Sequence, residues 1–429
     1  MATHAHSTVE MDGRTITILD LGAARTYFDL ISAVHQGLSA GYDDFEIRVL
    51  DNIRVFPNAA VPCLAAIEHW RRSGLAVSIA SGRNEYAARA GFRPAQGPDA
   101  QRRNAVALGS VVSFGSSADV NEIVTSFIDE LSSRLDFAPG ALLALEWALN
   151  EAMDNVLVHA EVETGFLMCQ CHQHTGRVAI CIADTGRGVL ESFRGSKHGP
   201  RNHVDALTLA IKRGVTRDEK IGQGNGLWGL SEIVRANGGS LRLVSGAGSM
   251  SITGDNMVNN GAVPCLDRRA QATIVDCQFS AASAVTLKDV LGGHQPVNLR
   301  LEAAESHAGT HAVRVSEVSE GTGTRMAARA VRTRVRNLLN EGASIVVLDF
   351  GGVRVASSSY ADELIGKLVA EIGFVAFNQQ FRIAQADDLV QTIVDRSVLQ
   401  RLATKFDAQT NAQGPVWTVT DENDENDED

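Results

Sequence analysis

Glu151 and Asn155 stand four residues apart in the apolar run Leu142–Ala160, LLALEWALNEAMDNVLVHA. On a helix that spacing places both on one face. A carboxylate there can activate water or a hydroxyl, and a carboxamide oxygen can bind a hard cation. Asp154 and His159 lie in the same run. Downstream, Asp184-Thr185-Gly186-Arg187-Gly188 sets an acid at the end of a strand-like segment, beside alternating glycines that permit close backbone approach. Further on, Gly222-Gln223-Gly224-Asn225-Gly226-Leu227 runs into a helical segment, Trp228–Asn237. A glycine-rich loop opening a helix suits phosphate, because bare N–H groups and the helix N-terminus both face the anion. Each pattern is weak alone; their order carries the argument.

The elements that must position these residues follow from periodicity. Asp119–Leu135 repeats its apolar residues at helical spacing. Gly165–Cys171 and Val178–Ala183 are two strands joined by a polar turn, and Ser240–Val244 and Ala272–Phe279 are two more. Residues 246–271 are rich in Gly and Asn and are expected to form a surface loop. Ahead of this centre, Thr15–Leu21, Phe45–Leu50 and Leu75–Ala80 alternate like strands, with helices at Ala23–Leu38 and Ala59–Ser73. That is a small α/β domain with a partly parallel sheet. His35 and His69 are lone histidines on its helices, expected at the surface or a boundary. Residues 81–118 are expected to be a connection.

With 429 residues, 44% hydrophobic and 21% charged, the chain is expected to form two or three globular domains. The net charge of −12 is concentrated at the end: DENDENDED holds seven acids, and without them the balance is −5. Bulk charge therefore argues against nucleic acid or an anionic membrane as the main partner. No apolar run reaches the ~20 residues of a membrane span, and the N-terminus lacks a signal pattern, so a cytoplasmic chain with reduced cysteines is expected. Cys169, Cys171, His172 and His174 cluster, but a structural zinc site draws ligand pairs from separate elements, which this spacing does not offer.

The order E-x-x-x-N, D-x-G-x-G, G-x-G-x-G-L, then Thr273 entering a last strand resembles the ATP-binding domain of the GHKL superfamily of gyrase, histidine-kinase and MutL type, over about residues 118–280. The form of the first box is most similar to the serine-kinase anti-sigma factors. The resemblance implies a Bergerat α/β sandwich that takes ATP and Mg²⁺. Asn155 would bind the metal, and Glu151 would position the attacking water or hydroxyl. Asp184 would accept the adenine amino group, with Gly186 and Gly188 passing the base. Gly222, Gly224 and Gly226 would cap the phosphates, Leu190–Ile221 would be a mobile lid, and Thr273 would lie near the adenine. Ala272 stands where many members have glycine. Phosphoryl transfer fits such a set, since it needs charge neutralisation, a metal and a placed nucleophile. The lid's Arg194, Lys197, Arg201, Lys212, Arg213, Arg217 and Lys220 offer further cations. No exposed histidine on a helical hairpin precedes the domain, which disfavours a two-component histidine kinase.

Past an expected linker, 281–295, Gly323–Asn340 is an amphipathic helix whose Arg325, Arg329, Arg332 and Arg336 form one stripe. Such a stripe can bind nucleic acid, but without interleaved aromatics a solvated face, or one that meets the acidic tail, is the expectation. Ser344–Phe350 is a buried strand, and Ser357-Ser358-Ser359 opens the helix Tyr360–Ile372. Residues 296–415 resemble a STAS-like domain, the fold of anti-sigma factor antagonists, through Ser359-Tyr360-Ala361-Asp362-Glu363. In antagonists a serine at this helix start is phosphorylated; Ser358 or Ser359 holds that place, and Ser359 is equally the expected helix N-cap. Ile53-Arg54-Val55 with its following helix parallels Val353-Arg354-Val355, so residues 1–117 read as a second STAS-like domain, with Pro57-Asn58-Ala59 in place of the serines.

The expected organisation is α/β and multidomain: 1–117, a GHKL domain 118–280, a linker 281–295, a STAS-like domain 296–415 and an acidic tail 416–429. The expected function is a cytoplasmic Mg-ATP-binding regulator, an ATPase or serine-kinase-like switch, whose nucleotide state controls protein partners through the STAS-like domains. A homodimer is compatible with this. The alternative is an ATPase acting on nucleic acid or a macromolecular complex. A binding module without turnover is disfavoured by the intact Glu151.

Overall fold

The computed structural model describes residues 7–80, 82–93, 106–194, 196–215, 226–267, 270–293, 296, 298, 301–302, 305–307 and 309–412. The chain divides into two compact units, Met1–Leu299 with Asn340–Gly342, and Arg300–Leu339 with Ala343–Asp429.

The first unit opens with β1 (Val9–Asp12), β2 (Thr15–Ile18), α1 (Arg25–Ser39), β3 (Asp44–Val49), α2 (Pro57–Arg72) and β4 (Ala76–Ile79). The sheet runs β1-β2-β3-β4, with an antiparallel first pairing and parallel others. Pro57 starts α2, where its fixed φ suits a first turn and its missing N–H costs nothing. Ala59, Ala60, Val61, Cys63, Ala65, Ala66, Ile67 and Trp70 then bury this helix on nearly every side. A helix apolar all round must lie between two layers, and the second layer is a larger sheet.

That sheet is built from β5 (Val112–Phe114), β6 (Gly165–His172), β7 (Arg177–Asp184), β8 (Ser240–Ser245), β9 (Gly248–Thr253), β10 (Asn256–Asn260) and β11 (Thr273–Ser280). Its order is β10-β9-β8-β11-β7-β6-β5, every pairing antiparallel. Strand alternation sends Ile180, Ile182, Val275 and Phe279 to one face, against α4 (Ser117–Arg134), α5 (Ala141–His159) and α8 (Gly226–Ala236). A capping box between Ser116 and Asp119 starts α4. Met168, Cys181, Ala183, Val244 and Ile274 face the other way and pack with α1 and α2. Each fully buried aliphatic or aromatic side chain contributes ~1.5–3 kcal/mol, so both faces of the sheet are fixed by apolar layers.

Three expected loops carry structure. Residues 81–118 include α3 (Glu85–Ala90) and β5. The Gly/Asn-rich stretch 246–271 contains the hairpin β9–β10, whose Met250 and Ile252 are buried. The expected linker contains α9 (Leu287–Val290), and Val285, Leu287 and Leu291 enter the core beside α4 and α5. All six cysteines are free, and burial holds each thiol above its ordinary range. No helix among the described residues is long and apolar enough to cross a membrane.

The second unit repeats the first sheet's pattern with β12 (Glu305–His307), β13 (Thr310–Arg314), β14 (Ile345–Asp349) and β15 (Phe381–Ala384): order β12-β13-β14-β15, antiparallel first, parallel after. The helix Arg325–Asn340 precedes β14. Ser358–Ala361, a π-helical turn Asp362–Gly366 and Lys367–Ile372 follow it as one helical run.

Candidate functional site

The site residues of the first unit fall into two groups. The first lies where α8 meets α5. Gly229 lets the helices approach, since a methyl there would sit 2.3 Å from the Trp147 ring. This brings Gly226, the first residue of α8, onto Glu151 and Asn155. A methyl at Gly226 would lie 2.9 Å from Glu151 Oε2 and 3.0 Å from Asn155 Nδ2. The Asn155 amide nitrogen is buried without a hydrogen-bond partner among the described residues, although such groups are almost always satisfied. Gly222 and Gly224 fall outside the described residues, as do Arg217 and Lys220 of the expected lid.

The second group lies at one end of the seven-stranded sheet. Asp184 ends β7, directly across from Thr273 on β11, which pairs in turn with Ser245 on β8. Asp184 is buried and accepts a hydrogen bond from the Gly186 N–H at 2.8 Å. Burial pushes its carboxyl up to about 7, against the pull of the Gly186 and Thr273 backbone donors. Gly186 is packed so closely that a methyl would meet the Ala160 carbonyl at 2.2 Å. That carbonyl, at the end of α5, also accepts the Arg187 N–H, and the Arg187 guanidinium donates to the His159 carbonyl. Gly188 has a left-handed φ of 76°, and starts α6 (Gly188–Ser192) against Ser245. The Ser245 hydroxyl accepts from the Val189 N–H at 2.8 Å and donates to the Ala272 carbonyl at 3.1 Å. Ala272 itself sits at φ 53°, a conformation that costs an L-residue roughly 1–2 kcal/mol. The backbone thus adopts at Ala272 a geometry that glycine would take without strain.

Sequence reasoning missed Trp147, Gly229 and Ser245, because none belongs to a spaced box. Gly229 alone left a signal, an unneeded glycine inside a helical run. Of the segment 190–221 expected as a lid, the described part is partly packed: α7 (His203–Ala210) buries Ala206 and Leu207 near β8 and β9. Arg213 lies over the Trp228 ring and Arg194 pairs with Glu191. Among the described residues no group of three or more His, Cys, Asp or Glu is placed to hold a metal.

In the second unit the arginine stripe is solvated only in part: Arg325 and Arg329 are exposed and Arg336 is half-buried, while Arg332 turns inward. Arg332 is buried, donating to Glu363 at 3.1 Å and to Glu371 at 2.7 Å, and Arg336 also approaches Glu371. Lys367 reaches Glu363 from the other side at 2.6 Å, and Arg401 grips Asp362 through two bonds, 2.6 and 2.7 Å. Burial raises Glu363, but Lys367 and Arg332 outweigh it and hold the carboxyl below its usual range. Tyr360 is fully buried, its hydroxyl donating to Ser319 at 3.0 Å. Tyr360, Ala361, Asp362 and Glu363 are therefore used inside the fold. The helix cap is Ser357, not Ser359: its hydroxyl accepts the Tyr360 N–H at 3.0 Å and bonds the Gly323 carbonyl. Ser358 is left exposed at the first helical position, and Ser359 is half-buried beside Ser357. The acidic tail, 416–429, lies outside the described residues.

Residues 327–391 match a family described as a STAS-like domain of unknown function (DUF4325), so the second unit contains a STAS-like domain. The match takes in the buried arginine, the serine-capped helix and its π-helical turn. No curated protein matches the chain.

Proposed function

We propose that the chain is a Mg-ATP-binding regulator in which nucleotide held by the first unit governs what the STAS-like domain engages. The observation that carries this is the meeting of Gly226 with Glu151 and the orphaned Asn155 amide. The head of α8 offers N–H groups to an anion. Asn155 would hold a Mg²⁺ through Oδ1, and its Nδ2 would donate to a bound anion. Mg²⁺ characteristically takes few protein ligands and keeps waters and phosphates, which suits one carboxamide. The metal would supply charge neutralisation on the transferring phosphate. Glu151 would orient the attacking hydroxyl, and Asp184, as carboxylate, would accept a purine amino group at the far end. ADP production or serine phosphorylation is the expected turnover.

The nucleic-acid alternative drew on the arginine stripe, and Arg332 and Arg336 are engaged by Glu363 and Glu371. Incubation with γ-labelled ATP and Mg²⁺ tests the proposal: label is expected as free phosphate or on Ser358, and neither in Glu151→Ala. No Mg-dependent binding by the wild type, or unaltered binding by Asn155→Ala, would refute it.

A further inference from the structure

His35 and His69 sit on α1 and α2, the layer behind the seven-stranded sheet, and both reach the turn that leads into β11. His35 Nε2 donates to the Leu266 carbonyl at 2.9 Å, and His69 Nε2 bonds Asp267 Oδ2 at 2.9 Å. The other carboxylate oxygen of Asp267 accepts the Ala270 N–H at 2.6 Å, and the Asp267 N–H donates to the Ala270 carbonyl. Ala270 is followed by Gln271 and Ala272, whose N–H groups both fall on the Gly186 carbonyl, at 2.8 and 3.1 Å. The Gly186 N–H in turn holds Asp184. Hydrogen bonds linked through Ala270–Ala272 and Gly186 therefore join the end of α2 to the Asp184 carboxylate.

We infer that His69 and Asp267 are positioning residues for an adenine nucleotide: they hold Ala270 in place so that Gln271 and Ala272 fix Gly186, and Gly186 fixes Asp184. The inference rests on the nucleotide reading above. The simplest competitor is apolar packing, because Leu266 and Ala270 are buried against the same helices. Packing needs no donor at position 69, whereas the hydrogen-bonded link needs one. The Ala272 backbone, held at positive φ, adds to the demand, since a strained residue persists only where its surroundings over-determine it. His69 and Asp267 are partly solvated, with side chains 17% and 44% exposed, so each link is a modest one.

His69→Ala is expected to weaken Mg-dependent uptake of a fluorescent ATP analogue about fivefold, the worth of one ordinary hydrogen bond. It should also speed hydrogen exchange at the Gln271 and Ala272 amides. His69→Gln keeps a neutral donor and should recover most of both, while Asp267→Ala removes the link from the turn side and should weaken uptake at least as much as His69→Ala. Wild-type affinity in His69→Ala overturns the inference, whether or not exchange has changed, and so does a His69→Gln as defective as His69→Ala. If the wild type takes up no nucleotide, the nucleotide reading falls and this role falls with it. Binding by wild type and His69→Ala alike removes this inference alone.

Discussion

Sheets β1–β4 and β12–β15 have the same strand order and the same pairing senses, yet the helix after the central strand is built differently in each. With Arg54 set against Arg354, Cys63 falls against Glu363 and Pro57-Asn58-Ala59 against the three serines. In α2 the first three turns are mostly small and apolar, polar residues gather in the last turns, and the helix is covered by two sheets. In Ser358–Ile372 the matching positions carry acids tied to Arg332, Lys367 and Arg401. One topology thus serves once as a packing layer behind a candidate site and once as a charged domain with an exposed serine. The side chains of a single helix decide which.

The comparison breaks most sharply at position 63. Cys63 is fully buried, and burial holds its thiol far above the ordinary range. Cys63→Glu would copy the acid of the C-terminal domain without its cations. An unpaired buried charge costs roughly 3–5 kcal/mol, and a urea midpoint should record a loss of that size in the first unit. A near-neutral result would show that α2 can recruit a cation or water, and the contrast would lapse.

The reverse change comes next. Arg332→Ala should cost about 3 kcal/mol, because Glu363 loses its buried guanidinium and keeps Lys367 as its direct ion-pair partner. The pH dependence has a definite sign. The folded carboxyl lies below its unfolded value, so its stabilisation is present above the unfolded pKa and is lost as pH falls through the folded one. Thermal unfolding of the variant should show a shallower acid limb than the wild type, and Arg332→Ala with Glu363→Gln should recover part of the loss.

The packing layer also sets the medium at the candidate site. Tyr27 of α1 is fully within the protein and close enough to feel the Asp184 charge. With the Asp184 carboxyl at about 7, about a tenth of the free protein is ionised at pH 6 and nine-tenths at pH 8. If the carboxylate is the binding form, nucleotide affinity should tighten about tenfold between these values. A flat profile, or an Asp184→Asn variant with the same slope, would assign the pH dependence elsewhere. Without ligand the sign is opposite: a raised carboxyl loses stability as pH climbs from the unfolded pKa to about 7, and Asp184→Asn should remove that decline.

What was legible in the sequence was local. The alternation of strands and helices in the first hundred residues, the pairing of Glu151 with Asn155 and the placing of Asp184 at a strand end each follow from spacing alone. What was hidden depends on partners far along the chain. Nothing near Arg332 announces Glu363 or Glu371, so the stripe looked solvated. In β10 every residue is exposed, so no alternation marks it, and its pairing with β9 comes from the hairpin. Val285, Leu287 and Leu291 are too few and too scattered to show a buried segment. His35 and His69 looked idle because their acceptors lie about two hundred residues away.

The smallest effect distinguishes the serines that only the C-terminal copy carries. Any of three consecutive serines can cap a helix by sequence, and the geometry selects Ser357. Ser357→Ala removes the acceptor for the Tyr360 N–H and should cost about 1 kcal/mol. Ser358→Ala touches no bond of the fold and should stay within ~0.5 kcal/mol. A phosphoryl group on Ser358 would stand at a helix N-terminus, where negative charge is favoured, so Ser358→Asp should be neutral or slightly stabilising. If Ser358→Asp instead destabilised as much as Ser357→Ala, the exposed hydroxyl would be part of the cap, and the C-terminal helix would start as rigidly as α2 does at Pro57.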